Sequence, residues 1–185
     1  MTEARETHPV EVAGLKRDLR LFEVAPGVRI AIVNILGDTE LVLAAAKALA
    51  KQIAASKPDV LVTAEAKSIP LAFALSVEMK LPFVVLRKSY KPYMGEAIEA
   101  ETFSITTGKP QTLFLDEKDR ALVNDKRVAL IDDVISTGST LQAMKLVTDK
   151  AGGSVVVEAA IFTEGDRAKW KEVVALGHLP VFQDS

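Results

Sequence analysis

Two adjacent carboxylates, Asp132 and Asp133, stand between an apolar run, Val128 to Ile131, and a run of small hydroxylated residues, Ser136-Thr137-Gly138-Ser139-Thr140. An apolar-periodic segment begins at Leu141. The order predicts a buried strand, a turn and the start of a helix. Such a turn sets backbone N–H groups and hydroxyls at the positive end of a helix dipole, a natural site for phosphate. Gly138 lets the backbone approach a ligand closely or take positive φ. Acids at the carboxyl end of a strand suit a vicinal diol or a metal, and open α/β sheets bind ligands at that end. Phosphate and diol together spell a ribose 5-phosphate group.

Two further loops carry matching charge. Thr63 to Ser68 is made of small residues around Glu65 and one cation, Lys67, and its backbone N–H groups can meet an oxyanion. Arg87 and Lys88 directly follow the apolar stretch Pro82 to Leu86, with Lys91 three residues on. Taken without the Asp132–Thr140 stretch Lys67 reads better as a solvated loop lysine, and Lys91, Tyr90 and Tyr93 read equally well as solvated loop residues. Glu164 and Asp166 fit either a base-recognition pair or a helix N-cap. His8 and His178 are isolated, one expected to be disordered and the other structural. No GxxxxGK[ST] or GxGxxG pattern is present, which argues against a P-loop kinase and a dinucleotide site.

The elements that position these loops follow a βαβ rhythm. Strands are expected at Arg29–Leu36, Asp59–Thr63, Pro82–Leu86, Val128–Ile131, Val155–Phe162 and about Leu179–Phe182. Helices are expected at Glu40–Ala55, Ile69–Met79, Ser139–Lys150 and Asp166–Leu176, with a short one around Val12–Leu19. Strand, helix and strand without room for a hairpin imply parallel pairing and right-handed crossovers. Residues 87–125 break the rhythm. They read as a mobile lid containing a hairpin, Glu101–Thr107 and Gln111–Leu115, with its turn at Gly108-Lys109-Pro110.

Composition narrows the class. The chain has 185 residues, enough for a single domain with a sizeable core. A net charge of −2 gives no general attraction to nucleic acid, and zero cysteines exclude disulfides and thiolate metal sites. The charged N-terminus is unlike a signal peptide, and Leu41–Ala50, broken by Lys47, is too short to span a bilayer. The cytoplasm is the expected compartment.

VALIDDVISTGST, residues 128–140, resembles the phosphoribosyl diphosphate (PRPP) motif of type I phosphoribosyltransferases at every constrained position. The purine members are also similar at Thr63, Glu65, Lys67, Ser68 and Ile69, and at the Arg-Lys pair that leads into a hood loop. The likeness covers roughly Pro26 to Phe182. The Pro26-Gly27-Val28 turn looks like the adenine enzymes, whereas Lys67-Ser68-Ile69-Pro70-Leu71-Ala72 looks closer to the xanthine enzymes and the purine repressor. Two departures concern the base. An aromatic–arginine pair is replaced by Arg29-Ile30-Ala31, and Thr163-Glu164-Gly165-Asp166 lacks the lysine of the xanthine branch.

The resemblance implies an α/β, three-layer type I phosphoribosyltransferase fold with a central parallel sheet, a flexible β-hairpin lid and a small hood from residues 1–28 and 163–185. It implies a Mg²⁺-dependent enzyme of purine salvage that transfers phosphoribosyl from PRPP to a purine base, adenine first. Asp132 and Asp133 would hold the ribose hydroxyls, with Asp133 also addressing the metal through water. Ser136, Thr137, Gly138, Ser139 and Thr140 would hold the 5′-phosphate. Glu65, Ala66, Lys67, Ser68, Arg87, Lys88 and Lys91 would serve the diphosphate, with Lys88 in a catalytic role. Val28, Ile30 and Glu164 would contact the base. A homodimer is implied, with neither nucleic acid nor membrane as partner. The alternatives are a 6-oxopurine enzyme, a PRPP-binding regulator without catalysis and, from the core motif alone, a pyrimidine or orotate enzyme. Fewer than 30 residues precede the first expected strand, so a DNA-binding winged helix is not expected ahead of it.

Overall fold

A computed structural model describes residues 6–103 and 110–183. The chain opens as a β-hairpin, β1 (Thr7–Val12) and β2 (Leu15–Ala25), where a short helix around Val12–Leu19 was expected. Ala13 and Gly14 both take positive φ, 52° and 78°, as a two-residue type I′ hairpin loop requires. His8, expected to be disordered, sits within β1, its ring edge-on to Phe182 at 5.1 Å. Strand β3 (Val28–Ala31) is shorter than the expected Arg29–Leu36. After it the Ile32 N–H still bonds to the Arg20 carbonyl, and the chain then departs toward the first helix.

Helix α1 (Thr39–Ile53) is capped by Asp38, whose carboxylate accepts the Leu41 N–H at 3.1 Å. The same carboxylate takes two bonds from the Arg17 guanidinium, at 2.7 and 3.0 Å, which ties the hairpin to the helix start. Burial of Leu41, Val42, Ala45, Ala46, Leu49 and Ile53 follows the helical period. Strand β4 (Val60–Ala64) is buried throughout, helix α2 (Ile69–Met79) carries Pro70 in its first turn, and β5 (Phe83–Leu86) follows. Strands β6 (Ile98–Phe103) and β7 (Pro110–Leu115) form the expected hairpin. Of the expected turn, Gly108 and Lys109 lie outside the described residues, as do positions 104–107 of the first expected hairpin segment. A short helix, α3 (Arg120–Val123), precedes β8 (Arg127–Ile135), α4 (Ser139–Lys150) and β9 (Ser154–Glu164).

The expected helix over Asp166–Leu176 is absent. Asp166 caps a single 3₁₀ turn, Arg167–Trp170, by accepting the Ala168 N–H at 2.9 Å. The chain then forms β10 (Val174–Leu179), parallel to β9. Gly177 faces the Phe162 ring so closely that an added Cβ would lie 2.7 Å from it, so the ring occupies the space a larger side chain would need. The expected last strand is also split. Pro180, which has no N–H to donate, separates β10 from β11 (Val181–Gln183), and β11 pairs with β3.

The strands sort into a parallel sheet of order β10-β9-β8-β4-β5, an antiparallel sheet of order β1-β2-β3-β11, and the β6–β7 hairpin. One face of the parallel sheet packs on α1 and α2 through Leu49, Ile53, Leu61, Leu71 and Ile131. The other packs on α4 and the hairpin through Leu113, Leu115, Leu130 and Met144. The result is a three-layer α/β fold with β8, buried on both faces, at its middle. From β4 the chain proceeds to β5, and from β8 it proceeds to β9 in the opposite direction. A crevice therefore opens between the carboxyl ends of β4 and β8, at the topological switch point.

Candidate functional site

That crevice is closed at its floor by Ser68. Its hydroxyl lies 2.7 Å from Asp132 Oδ1 and accepts the Asp133 N–H at 3.1 Å. The Asp133 N–H also meets Asp132 Oδ1 at 2.9 Å. The loop after β4 and the acids of β8 are thus one hydrogen-bonded unit. Thr63 reinforces the junction by donating to the Ile131 carbonyl at 2.8 Å. Asp133 is buried and Asp132 half-buried. Burial first, and the neighbouring Asp133 charge second, push the Asp132 carboxyl up to about 7, against the pull of the Ser68 hydroxyl.

Downstream, Gly138 begins α4 at φ 83° and supplies no side-chain cap, and the first turn holds no acidic residue. The Ser139 N–H meets the Thr137 hydroxyl at 3.4 Å, and the N–H groups that follow it in the first turn face no acidic residue and suit an anion. The hydroxyls of Thr137 and Ser139 lie 3.1 Å apart beside them. A small hollow of about 30 Å³ runs from Asp132 to Gly138 along this loop. The hairpin is docked on the same loop: Thr102 donates to the Ser139 carbonyl at 3.3 Å and Gln111 Nε2 lies 3.3 Å from the Thr140 hydroxyl.

The cationic residues divide. Arg87 gives its guanidinium to Glu65 at 2.7 Å, and the Glu65 carboxylate also takes the Lys88 N–H at 2.6 Å. Burial alone would raise Glu65, but the Lys88 N–H and the Arg87 guanidinium outweigh it and hold the acid below its usual range. Glu65, expected among the diphosphate ligands, here orients the Arg87–Lys88 turn. Lys67 and Lys88 are exposed, and Lys67 Nζ reaches the Val33 carbonyl at 3.4 Å. Lys91 is exposed and its N–H meets Met94 Sδ at 3.3 Å. Tyr93 reaches the Arg87 guanidinium at 3.4 Å, and Tyr90 donates to the Gly95 carbonyl. Val28 and Ile30 lie in β3, half-buried and paired with Gln183 and Val181. Glu164 ends β9, 8% exposed, and burial raises its carboxyl. His178 meets the Thr163 hydroxyl at 3.0 Å, a structural contact as expected.

One residue of this region had no expected role. Trp170 lies against Gly138, where an added Cβ would come within 2.6 Å of the indole. Its Nε1 donates to the Glu164 carbonyl at 3.0 Å. The expected helix over Asp166–Leu176 concealed it, although a lone tryptophan shortly after the last core strand is the kind of signal that marks a binding surface.

The fold and this crevice define an α/β protein with a hydroxylated loop at a helix start beside a pair of adjacent acids. The phosphoribosyl transferase domain matches residues 33–176, and the chain belongs to that family. Over 116 residues the chain is 35% identical to a hypoxanthine/guanine phosphoribosyltransferase of Methanococcus voltae, covering 62% of this chain and 58% of the relative. Over 141 residues it is 30% identical to the purine biosynthesis transcriptional repressor PurR of Bacillus subtilis, covering 74% and 49%. The matches thus span about half of each relative's length. Among solved structures, an adenine phosphoribosyltransferase from Thermoanaerobacter pseudethanolicus superposes with a TM-score of 0.67 at 20% identity, covering 94% of this chain and 95% of that one. The adenine phosphoribosyltransferase of Trypanosoma brucei, in complex with AMP, pyrophosphate and ribose-5-phosphate, gives 0.66 at 23%, covering 81% and 70%. These likenesses establish the type I phosphoribosyltransferase fold. Among the described residues no helix is long and apolar enough to cross a membrane.

Proposed function

We propose that the chain is a purine phosphoribosyltransferase, converting PRPP and a free purine base to a nucleoside 5′-monophosphate and pyrophosphate. The observation that carries this reading is the Ser68 junction, which locks the cation-bearing loop after β4 to the acid pair of β8. One substrate with a diphosphate at one end, a diol in the middle and a phosphate at the other fits that crevice. Asp132 and Asp133 accept the ribose hydroxyls. The loop N–H groups with Thr137, Ser139 and Thr140 hold the 5′-phosphate. Lys67, Arg87, Lys88 and Lys91 serve the diphosphate, with Lys88 given the role of neutralising the departing charge. Ala66 and Ser68 contribute loop backbone.

Departure of pyrophosphate leaves positive charge on the ribose ring, as in glycoside cleavage. The residues supply positioning and fixed charge rather than a strong base. Among the described residues no group of three His, Cys, Asp or Glu is set to hold a metal. Two carboxylates in an otherwise open crevice fit a Mg²⁺ held chiefly by substrate oxygens, with Asp133 reached through water. Its contribution when bound is to neutralise the leaving diphosphate. The β6–β7 hairpin serves as the lid and the antiparallel sheet as the hood over the base, beside Val28 and Ile30.

A second copy of the chain is the natural occupant of the groove between α1 and α2. It holds about 350 Å³ and is bordered by Leu43, Phe73 and Val77, which are 57–62% exposed. Such a cluster is unusual on a free surface.

Incubation with Mg²⁺, PRPP and, singly, adenine, hypoxanthine, guanine, xanthine and uracil tests the activity by release of pyrophosphate. A nucleotide product with a purine supports it. PRPP binding without product from any base favours a second reading, a PRPP-sensing regulator, which the similarity to the repressor motivates.

A further inference from the structure

Two residues that face each other across the β6–β7 hairpin, Thr102 and Gln111, grip consecutive residues at the start of α4. Thr102, 4% exposed, donates its hydroxyl to the Ser139 carbonyl at 3.3 Å. Gln111, half-buried, brackets the Thr140 hydroxyl with both ends of its amide: Nε2 lies 3.3 Å and Oε1 3.4 Å from Thr140 Oγ1. At the far end of the helix Lys150 donates to the Glu99 carbonyl at 2.8 Å. Between these anchors Ala100, Leu113 and Leu115 of the hairpin belong to one buried cluster with Leu141, Met144 and Val147 of α4. The hairpin therefore holds α4 at both ends, and its polar contacts at the N-terminal end fall on the loop assigned to the 5′-phosphate.

We infer that Gln111 is a positioning residue for the 5′-phosphate, acting through the Thr140 hydroxyl, an inference that rests on the function proposed above. A hydroxyl carries one proton and two acceptor lone pairs, and an amide carries both a donor and an acceptor. In the empty loop the Thr140 hydroxyl donates to Gln111 Oε1. A phosphate at the start of α4 is the stronger acceptor, because hydrogen bonds to a charged oxygen are shorter and stronger. The proton then turns to the phosphate, and Thr140 Oγ1 accepts from Gln111 Nε2. The amide thus keeps a bond to Thr140 before and after binding, without any movement of the hairpin. In the filled loop the Nε2–H also draws charge from Oγ1, which strengthens the bond that Thr140 gives to the phosphate. A carboxylate in place of the amide offers acceptors alone. It would retain the Thr140 proton and set a negative charge beside the phosphate. A methionine of similar length would fill the space and orient nothing.

The test is calorimetric titration of ribose 5-phosphate into the wild type, Gln111→Met, Gln111→Glu, Thr140→Val and the double variant that combines Gln111→Met with Thr140→Val. Urea midpoints confirm that each variant is folded. Gln111→Met should bind about three- to tenfold more weakly than the wild type, and Gln111→Glu at least about tenfold more weakly. In the Thr140→Val background Gln111→Met should cost less than about twofold, because its effect passes through the hydroxyl. In turnover Gln111→Met should raise the KM for PRPP and leave kcat within about twofold, since the 5′-phosphate is held alike in substrate and transition state. Wild-type affinity in Gln111→Met, an equal loss with and without the Thr140 hydroxyl, or a fall in kcat at unchanged KM overturns the inference while the phosphoribosyl site stands. Failure of ribose 5-phosphate to bind the wild type overturns the function and the inference together.

Discussion

Ser68 Oγ sits 2.7 Å from Asp132 Oδ1 and 3.1 Å from the Asp133 nitrogen, so one hydroxyl fixes two acids from a neighbouring strand. Ser68 is buried, and Ser68→Ala removes a donor to Asp132 and an acceptor for the Asp133 N–H. The expected cost is about 1–3 kcal/mol of stability, measured by urea unfolding. The KM for PRPP should rise at least about tenfold, because diol and diphosphate no longer share one rigid support.

The raised Asp132 carboxyl gives the apoprotein a pH signature. Its folded value of about 7 exceeds the unfolded value near 4. The folded state therefore holds the proton more tightly, and this contribution to stability is complete below about pH 4 and lost as pH rises through 7. Urea midpoints should fall between about pH 4 and 7 in the wild type, with this component missing in Asp132→Asn. PRPP affinity should move the opposite way, increasing through pH 7 as Asp132 ionises to accept the diol.

Glu65 and Arg87 form a pair with side chains 21% and 35% exposed. Screening limits its worth to below about 1 kcal/mol, so Glu65→Gln should unfold nearly as the wild type does. Without the ion pair the Arg87–Lys88 turn loses its orientation. The expected result is a several-fold higher KM for PRPP with a smaller change in kcat, read from initial rates.

The geometry of Gly138 forbids a side chain. Gly138→Ala would set a Cβ 2.6 Å from the Trp170 ring at φ 83°. It should weaken ribose 5-phosphate binding by at least about tenfold. Because Trp170 is the single tryptophan, its emission should change when ribose 5-phosphate or PRPP fills the loop of the wild-type protein. An unchanged spectrum at saturation would contradict the placement of the phosphate.

The layout of the parallel sheet was legible because its strands are short apolar runs and its helices carry clear starts and stops, such as Asp38 before α1 and Pro70 in α2. The acid pair and hydroxylated loop were legible because local spacing alone puts them at one strand end. The hood was not. Ala13-Gly14 is a weak turn signal beside Asn-Gly, and the alternation in Leu15–Leu21 was masked by its charged neighbours. The region after β9 misled for a different reason: residues 166–176 carry enough helix formers to suggest a helix, but the long-range fit of Gly177 against Phe162 selects a strand. The Glu65–Arg87 pair and the Trp170–Gly138 contact join residues distant in sequence, which no local pattern encodes.

The most direct test is the initial rate of pyrophosphate release from Mg²⁺–PRPP in the presence of the preferred purine, compared between the wild type and Asp133→Asn at matched folded fraction. The account predicts one nucleoside monophosphate per pyrophosphate in the wild type and a rate at least about 100-fold lower in the variant. Equal rates in the two proteins would contradict the assignment of the catalytic crevice to the end of β8.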